Sequence, residues 1–207
     1  MKKVALACLF VFALAAVGSA QVQIQQPFSI YVSGAVSIPT APSAFKDTYK
    51  AGIHGSAGVG YSVAPNFQIV GKVEYHSFGL DAAKTALSLT VPDLSGGTEK
   101  IMLFGADGRF SLGVPMAPVK PFLLGGVGMA RISFSDFTTS DPLAQAVLDP
   151  LNAASTSATK VYYNVGGGVQ LKSGPMWSLF AQIRYVSVAT DGQASTFIPV
   201  SLGIKFF

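Results

Sequence analysis

The feature that most constrains this chain is a period-two alternation of apolar and polar residues that recurs from residue 28 to residue 206. Successive side chains of a β-strand point to opposite faces, so this alternation predicts strands with one apolar and one polar face. Eight such segments are present: Phe28–Ile38, Tyr49–Val63, Phe67–Tyr75, Met102–Leu112, Phe122–Phe134, Val161–Leu171, Trp177–Tyr185 and Ile198–Phe206. The pattern predicts an all-β protein.

The composition excludes the two other classes that such an apolar chain suggests. Half of the residues are hydrophobic, 12% are charged, and the mean hydropathy is +0.47. A membrane-spanning helix needs about 18 consecutive apolar residues, but beyond residue 20 the longest run is Pro121–Ala130. A bundle of spanning helices is therefore excluded, and so hydrophobic a chain is not intrinsically disordered.

The first twenty residues have the layout of a secretory signal peptide. A basic start, Met1–Lys3, precedes the apolar stretch Val4–Val17 and the small residues Gly18–Ala20. We expect cleavage after Ala20, which leaves residues 21–207 as one domain. Cys8, the only cysteine, falls in the cleaved part, so the exported domain has no disulfide.

The connections between the strands alternate in length. Segments 64–66, 113–121 and 173–175 are the shorter ones, whereas 39–48, 79–99, 135–159 and 187–195 are generally longer and polar. Short turns on one side and long loops on the other are typical of bacterial outer-membrane barrels. An even number of strands places both termini on the short-turn side. We therefore predict an eight-stranded antiparallel up-and-down transmembrane β-barrel, with a brief helix near residues 141–158.

Aromatic residues on the apolar face support the membrane interpretation over a soluble ligand-binding barrel, which would turn its apolar face inward. One set lies at the short-turn ends of seven strands, and a second set lies near the long loops. Aromatic girdles are expected where a barrel meets the two membrane interfaces. The lipid-interface aromatics of the short-turn side are Phe28, Tyr61, Phe67, Phe110, Phe122, Trp177 and Phe206.

Charged residues concentrate on the opposite face, which we predict to line the lumen. The polar network expected in the middle or upper barrel consists of Lys72, Glu74, Asp107, Arg109, Arg131 and Arg184. Eight strands leave room only for side chains, so a salt-bridged plug is the first interpretation. The alternative is a narrow, weakly anion-biased pore, because four cations face two anions.

Three segments carry a family resemblance: Pro121–Gly128, Tyr163–Val169 and the closing Val200–Phe207. With glycine-rich strand centres and a terminal aromatic, the domain resembles the small outer-membrane β-barrels that include the transmembrane domain of outer-membrane protein A. The resemblance implies a monomer integral to the bacterial outer membrane. It also implies contact with lipid and lipopolysaccharide, recognition by the outer-membrane assembly machinery, and no cofactor.

Few residues of the sequence are candidates for a catalytic, metal-binding or nucleic-acid-binding site. His76 and Ser77 are neighbours on one strand and point to opposite faces, so with Glu74 they form no hydrolase triad. His54 is the only other histidine, the spacing of the loop aspartates fits no calcium loop, and no basic cluster suggests nucleic acid. We expect no catalytic or metal-binding residues. The predicted role is structural or adhesive, through a host or surface ligand of the loops; a pore, and more remotely a lipid A-modifying enzyme, are the alternatives.

Overall fold

A computed structural model describes residues 27–81, 94–112, 118–154, 157–174, 176–190 and 192–207 of the 207-residue chain; the predicted signal peptide lies outside these ranges. Ten strands and two helices are present in this part. The strands are β1 (Phe28–Ala41), β2 (Gly52–Ala64), β3 (Phe67–Phe78), β4 (Ser95–Gly96), β5 (Glu99–Ser111), β6 (Val119–Phe134), β7 (Phe137–Thr138), β8 (Ala158–Lys172), β9 (Trp177–Val188) and β10 (Ser195–Phe206). The helices are α1 (Ser43–Thr48) and α2 (Pro142–Ala154).

Eight of the strands close into one antiparallel barrel, which confirms the predicted fold class. Around the barrel the order is β1-β10-β9-β8-β6-β5-β3-β2, so each strand pairs with its neighbours along the chain. The first and last strands close the barrel, with Ile30 opposite Phe206 and Val36 opposite Val200. Closure pairs every edge strand, and a barrel in lipid requires this because the hydrocarbon offers no hydrogen-bond partners.

The outer surface of the barrel is apolar around its circumference. Large hydrophobic side chains are exposed there, among them Ile53 at 72%, Leu202 at 70% and Val127 at 63%. The charged and amide side chains Gln68, Glu74, Asp107, Arg109, Asn164 and Arg184 of the same strands point inward and are buried. The described residues include no helix that is both long enough and apolar enough to cross a membrane. An inverted distribution, polar inside and apolar outside, accounts for the composition of the chain.

In seven of the eight barrel strands the apolar face lies where the alternation predicts, but β6 faces the opposite way. Phe122, which we predict at the lipid interface, is 2% exposed and points into the lumen. Arg131, which we predict in the lumen, lies on the outer face and is exposed. Both faces of β6 are apolar, since Leu123, Val127 and Met129 alternate with Phe122, Leu124, Ala130 and Ile132. When both faces of a strand are apolar, the alternation does not indicate which face points into the lumen.

The two ends of the barrel differ in their connections. The end we call the loop end carries the connections from β1 to β2, β3 to β5, β6 to β8 and β9 to β10, whose described residues include α1, α2 and a two-stranded ribbon formed by β4 and β7. The other, called the turn end, carries the connections from β2 to β3, β5 to β6 and β8 to β9, together with residue 27 and Phe207. Three of the four loop-end connections are longer than every turn-end connection, as predicted, whereas the connection between β9 and β10, residues 189–194, is shorter than that between β5 and β6, residues 112–118.

The orientation of β6 can be tested with two adjacent cysteines. The predicted mature domain lacks cysteine, so each introduced thiol is unique. A spin label at Leu123→Cys, where the native side chain is 55% exposed, should collide with oxygen dissolved in the bilayer. A label at Leu124→Cys, where the native side chain is 6% exposed, should not. If the label at position 124 collided with oxygen and the label at position 123 did not, β6 would have the orientation predicted from the sequence.

Candidate functional site

The lumen is organised around the carboxylate of Glu74, which β3 points to the barrel centre. Two guanidinium nitrogens of Arg184 on β9, Nη1 and Nη2, each donate a 2.7 Å hydrogen bond to one of its oxygens. The ammonium of Lys72 lies 2.7 Å from Glu74 Oε1 and 2.7 Å from Asp107 Oδ2. All four side chains are at most 8% exposed. Two cations and two carboxylates therefore neutralise one another inside the barrel.

Neutral groups complete the surroundings of Asp107. The amide of Asn164 on β8 donates a 2.9 Å hydrogen bond to Asp107 Oδ1. Gly126, opposite Asp107 on β6, supplies the space, because a β-carbon there would collide with the same carboxylate oxygen. The glycine-rich segment of β6 is thus a close-approach site for a buried charge.

Two histidines extend the network toward the loop end. His76 Nε2 lies 3.1 Å from Glu74 Oε2, and the Ser37 hydroxyl lies 2.9 Å from His76 Nδ1 and 3.1 Å from His54 Nδ1. Serine, histidine and acid are connected in the order a hydrolase needs. However, Ser37 and His76 are fully buried and Arg184 occupies both oxygens of Glu74. The arrangement gives an ester substrate no access to the hydroxyl.

Arg109 occupies a separate aromatic box nearer the turn end. Its guanidinium carbon lies 3.5 Å from the ring centroid of Phe122, and 5.2 and 5.3 Å from those of Tyr31 and Phe180. Its one side-chain hydrogen bond in the described structure runs to Gln170, at 3.3 Å. The inward orientation of Phe122 therefore has a physical cause, since the ring face stabilises a buried cation.

Apolar side chains fill the lumen at the loop end. Phe45 of α1 packs against Phe78, with ring centroids 5.1 Å apart, and is 4% exposed. Tyr49 packs beside these side chains, and burial, followed by the charge of Glu99, raises the pKa of its phenol. The apolar plug consists of Phe45, Phe78, Ile101, Leu103, Ala130, Ile132, Tyr162, Val186, Val188 and Phe197.

Four of the six residues proposed for the lumen network meet directly: Lys72, Glu74, Asp107 and Arg184. Arg109 also points inward but lies in its own box, and Arg131 lies outside. Tyr31, which donates a hydrogen bond to Gln68, and Asn164 are lumen residues that the prediction omits. Their positions on the polar face of the alternation were the available signal. Of the seven interface aromatics, the six other than Phe122 point outward at the turn end.

The described part of the lumen contains a small cavity. A cavity of about 40 Å³ lies between the ionic network and the aromatic box, bordered by Lys72, Asp107 and Arg109. One water needs roughly 10–15 Å³ by this measure, so the cavity fits about three. Its charged lining residues suit water.

These features define a class. A closed antiparallel barrel with an apolar outer belt, aromatic residues at both ends of that belt and an ionic network inside the lumen is a transmembrane β-barrel.

The family follows from a direct match. Residues 10–206 match the family model described as the outer membrane protein beta-barrel domain. The chain belongs to this family, and its location is the bacterial outer membrane. No curated protein sequence matches the chain.

Solved structures share the fold at low sequence identity. Neisserial surface protein A is 17% identical, with a TM-score of 0.60, and the match covers 87% of this chain and 97% of that one. A major outer membrane protein of Thermus thermophilus is 10% identical, with a TM-score of 0.54 and coverages of 87% and 99%. The attachment invasion locus protein Ail of Yersinia pestis, solved with the heparin analogue sucrose octasulfate, is 17% identical, with a TM-score of 0.52 and coverages of 86% and 97%.

Removing the central charge should destabilise the barrel strongly. Glu74→Gln keeps the shape of the side chain but leaves Arg184 and Lys72 without their shared counterion. Breaking one partner of a buried ion pair costs about 3–5 kcal/mol. Urea unfolding in lipid vesicles should show this loss, whereas Asp149→Asn on an exposed part of α2 should change the free energy of unfolding little. A loss for Glu74→Gln as small as that control would contradict a stabilising network.

Proposed function

We propose that this barrel is a surface-interaction protein whose extracellular loops bind a protein ligand. The observation that carries the proposal is an apolar stripe on α2 of the loop end. Leu143 is 82% exposed and Val147 is 64% exposed, and they are one helical turn apart. Exposed Ala146 and Pro150 continue the stripe. Large apolar side chains grouped on an exposed loop helix, away from the lipid belt, are typical of a protein-binding surface.

The helix is held in a fixed position, which favours recognition. Leu148, on its other side, is fully buried. The Asn152 side chain accepts a 2.8 Å hydrogen bond from the Phe137 amide and donates a 2.9 Å bond to the Phe137 carbonyl. Gln145 accepts a further bond, of 3.1 Å, from the amide of Thr139. A surface that is ordered before binding loses less entropy when a ligand docks.

The charge of the loops narrows the ligand class. Residues 42–51, 79–98, 135–157 and 189–194 contain three lysines and seven aspartates, a net charge of −4. Ail was solved with a heparin analogue, but acidic loops disfavour such a polyanion. They favour a protein surface that is apolar at its centre and neutral or basic around it.

The packing of the lumen supports an interaction role over the two alternatives. From the loop end to the turn end, the interior is occupied by the apolar plug, then the ionic network and then the Arg109 box. Together they leave little space for ions to pass. The buried Ser37 and His76 likewise give no support to lipid A modification. The barrel then acts as the anchor of its loops.

Adhesion of bacteria that display the protein to an epithelial monolayer tests the proposal. The double change Leu143→Glu and Val147→Glu should reduce adhesion about tenfold, because a loss near 1.4 kcal/mol has that effect on an equilibrium. The matched control, Ser43→Glu with Ala44→Glu, adds the same charge to exposed positions of α1. Equal losses for both pairs, or none for either, would contradict binding by the α2 stripe.

Planar bilayers test the pore alternative. The wild-type barrel should give no discrete conductance steps, because the side chains that fill its lumen pack around a cavity of only about 40 Å³. Anion-selective steps that disappear in Arg184→Ala would instead establish a channel through the lumen.

A further inference from the structure

Two lysines and a serine occupy neighbouring strand positions at the turn end. Across the three adjacent strands β8, β9 and β10, Ser178 stands directly opposite Lys172 on one side and Lys205 on the other. By the alternation of their strands all three positions fall on the inward face: Ser178 is fully buried, Lys205 is half-buried, and Lys172, at the rim of the turn end, is exposed. Strands are about 4.8 Å apart, so the lysine α-carbons are separated by roughly 9.6 Å, with the serine between them.

The serine hydroxyl lacks a partner. Ser178 is fully buried, and its Oγ makes no hydrogen bond in the described structure. Buried polar groups are almost always hydrogen-bonded, so an orphan hydroxyl between two cations needs explaining. An anion seated between the lysines would accept the missing bond.

Within the described part of the chain, the lysines also lack a nearby carboxylate side chain. Arg109 adds further positive charge, because its guanidinium carbon and the Lys205 ammonium lie 5.2 and 5.5 Å from the same Tyr31 ring. Lys205 Nζ also lies 4.6 Å from the ring centroid of Phe207. Ring faces stabilise these cations but do not neutralise them, so a counterion would stabilise the cluster further. The acidic residues that the structure describes lie elsewhere, in the middle of the lumen (Glu74, Asp107) or toward the loop end (Asp47, Asp81, Glu99, Asp136, Asp141, Asp149).

From this juxtaposition we infer that Lys172, Ser178 and Lys205 form a binding site for a phosphate group at the turn end of the lumen. Two ammonium groups on flexible stems converge on the phosphate oxygens, and the Ser178 hydroxyl donates a hydrogen bond to one of them. A dianion matches the surplus of positive charge better than a single carboxylate does. The site is independent of the loops and of the ligand proposed for them.

Heat denaturation of the full barrel in a neutral detergent tests the site, with inorganic phosphate as the probe. Replacing chloride by phosphate at equal ionic strength should raise the Tm by about 2–4 °C, because a ligand stabilises the state that binds it. The shift should disappear in Lys172→Met, Lys205→Met and Ser178→Ala, and persist in Lys100→Met near the loop end. A shift that survives all three changes would be a general salt effect and would overturn the proposal.

Stability in chloride gives a second readout. Without phosphate, Lys172→Met should be at least as stable as the wild type, because it removes a positive charge from an unfilled site without removing the ring contacts that Lys205 makes with Tyr31 and Phe207. A lower Tm for this variant in chloride would show that the lysine already has its counterion. Amide shifts confined to residues near Ser178 in phosphate titrations would support the site, and shifts spread over the surface would contradict it.

Discussion

The structure depends on neutralising one buried carboxylate. Glu74 lies where ionisation is costly, and the bidentate contact with Arg184 together with the Lys72 ammonium offsets that cost. Because these partners come from β3 and β9, the interaction ties opposite walls of the barrel together across the lumen. Asp107 and Asn164 extend the connection to β5 and β8. If a strand shifted relative to its neighbours and broke these contacts, charged side chains would be buried without partners. The network therefore also fixes which residues face inward.

Much of the fold could be predicted from the sequence because the membrane imposes a simple rule on each strand. Where one face is apolar and the other polar, as in β3 with Ile69 and Val73 against Lys72 and Glu74, period-two alternation determines the orientation. The rule failed at β6, whose inward side chains are themselves apolar: Ala130 and Ile132 join the apolar plug, Phe122 packs on the Arg109 guanidinium, and Gly126 only leaves space beside Asp107. Its local sequence therefore carried no contrast, and only the contents of the lumen decide its phase.

The pairing inside the candidate site was beyond sequence reasoning for another reason. Glu74 and Arg184 are 110 residues apart, and they meet through the centre of the barrel and not across a strand pair. Alternation indicates which side chains enter the lumen but not their height or which opposing group they reach. The exclusion of a triad at His76 and Ser77 was sound for adjacent residues. It could not reveal that Ser37 bonds to His76 from a strand on the other side of β2.

The glycines that face the lumen affect how wide the lumen is. Gly60 faces Tyr31 and Gln68, Gly168 faces the ring of Phe122, and Gly203 faces that of Phe180; a β-carbon at each would meet the larger neighbour. The interior is thus a set of bulky groups fitted against stretches of bare backbone. The width available to a solute is set by a few long side chains and not by the number of strands. Replacing those side chains by shorter ones would therefore open a pore through the lumen without any change in the number of strands.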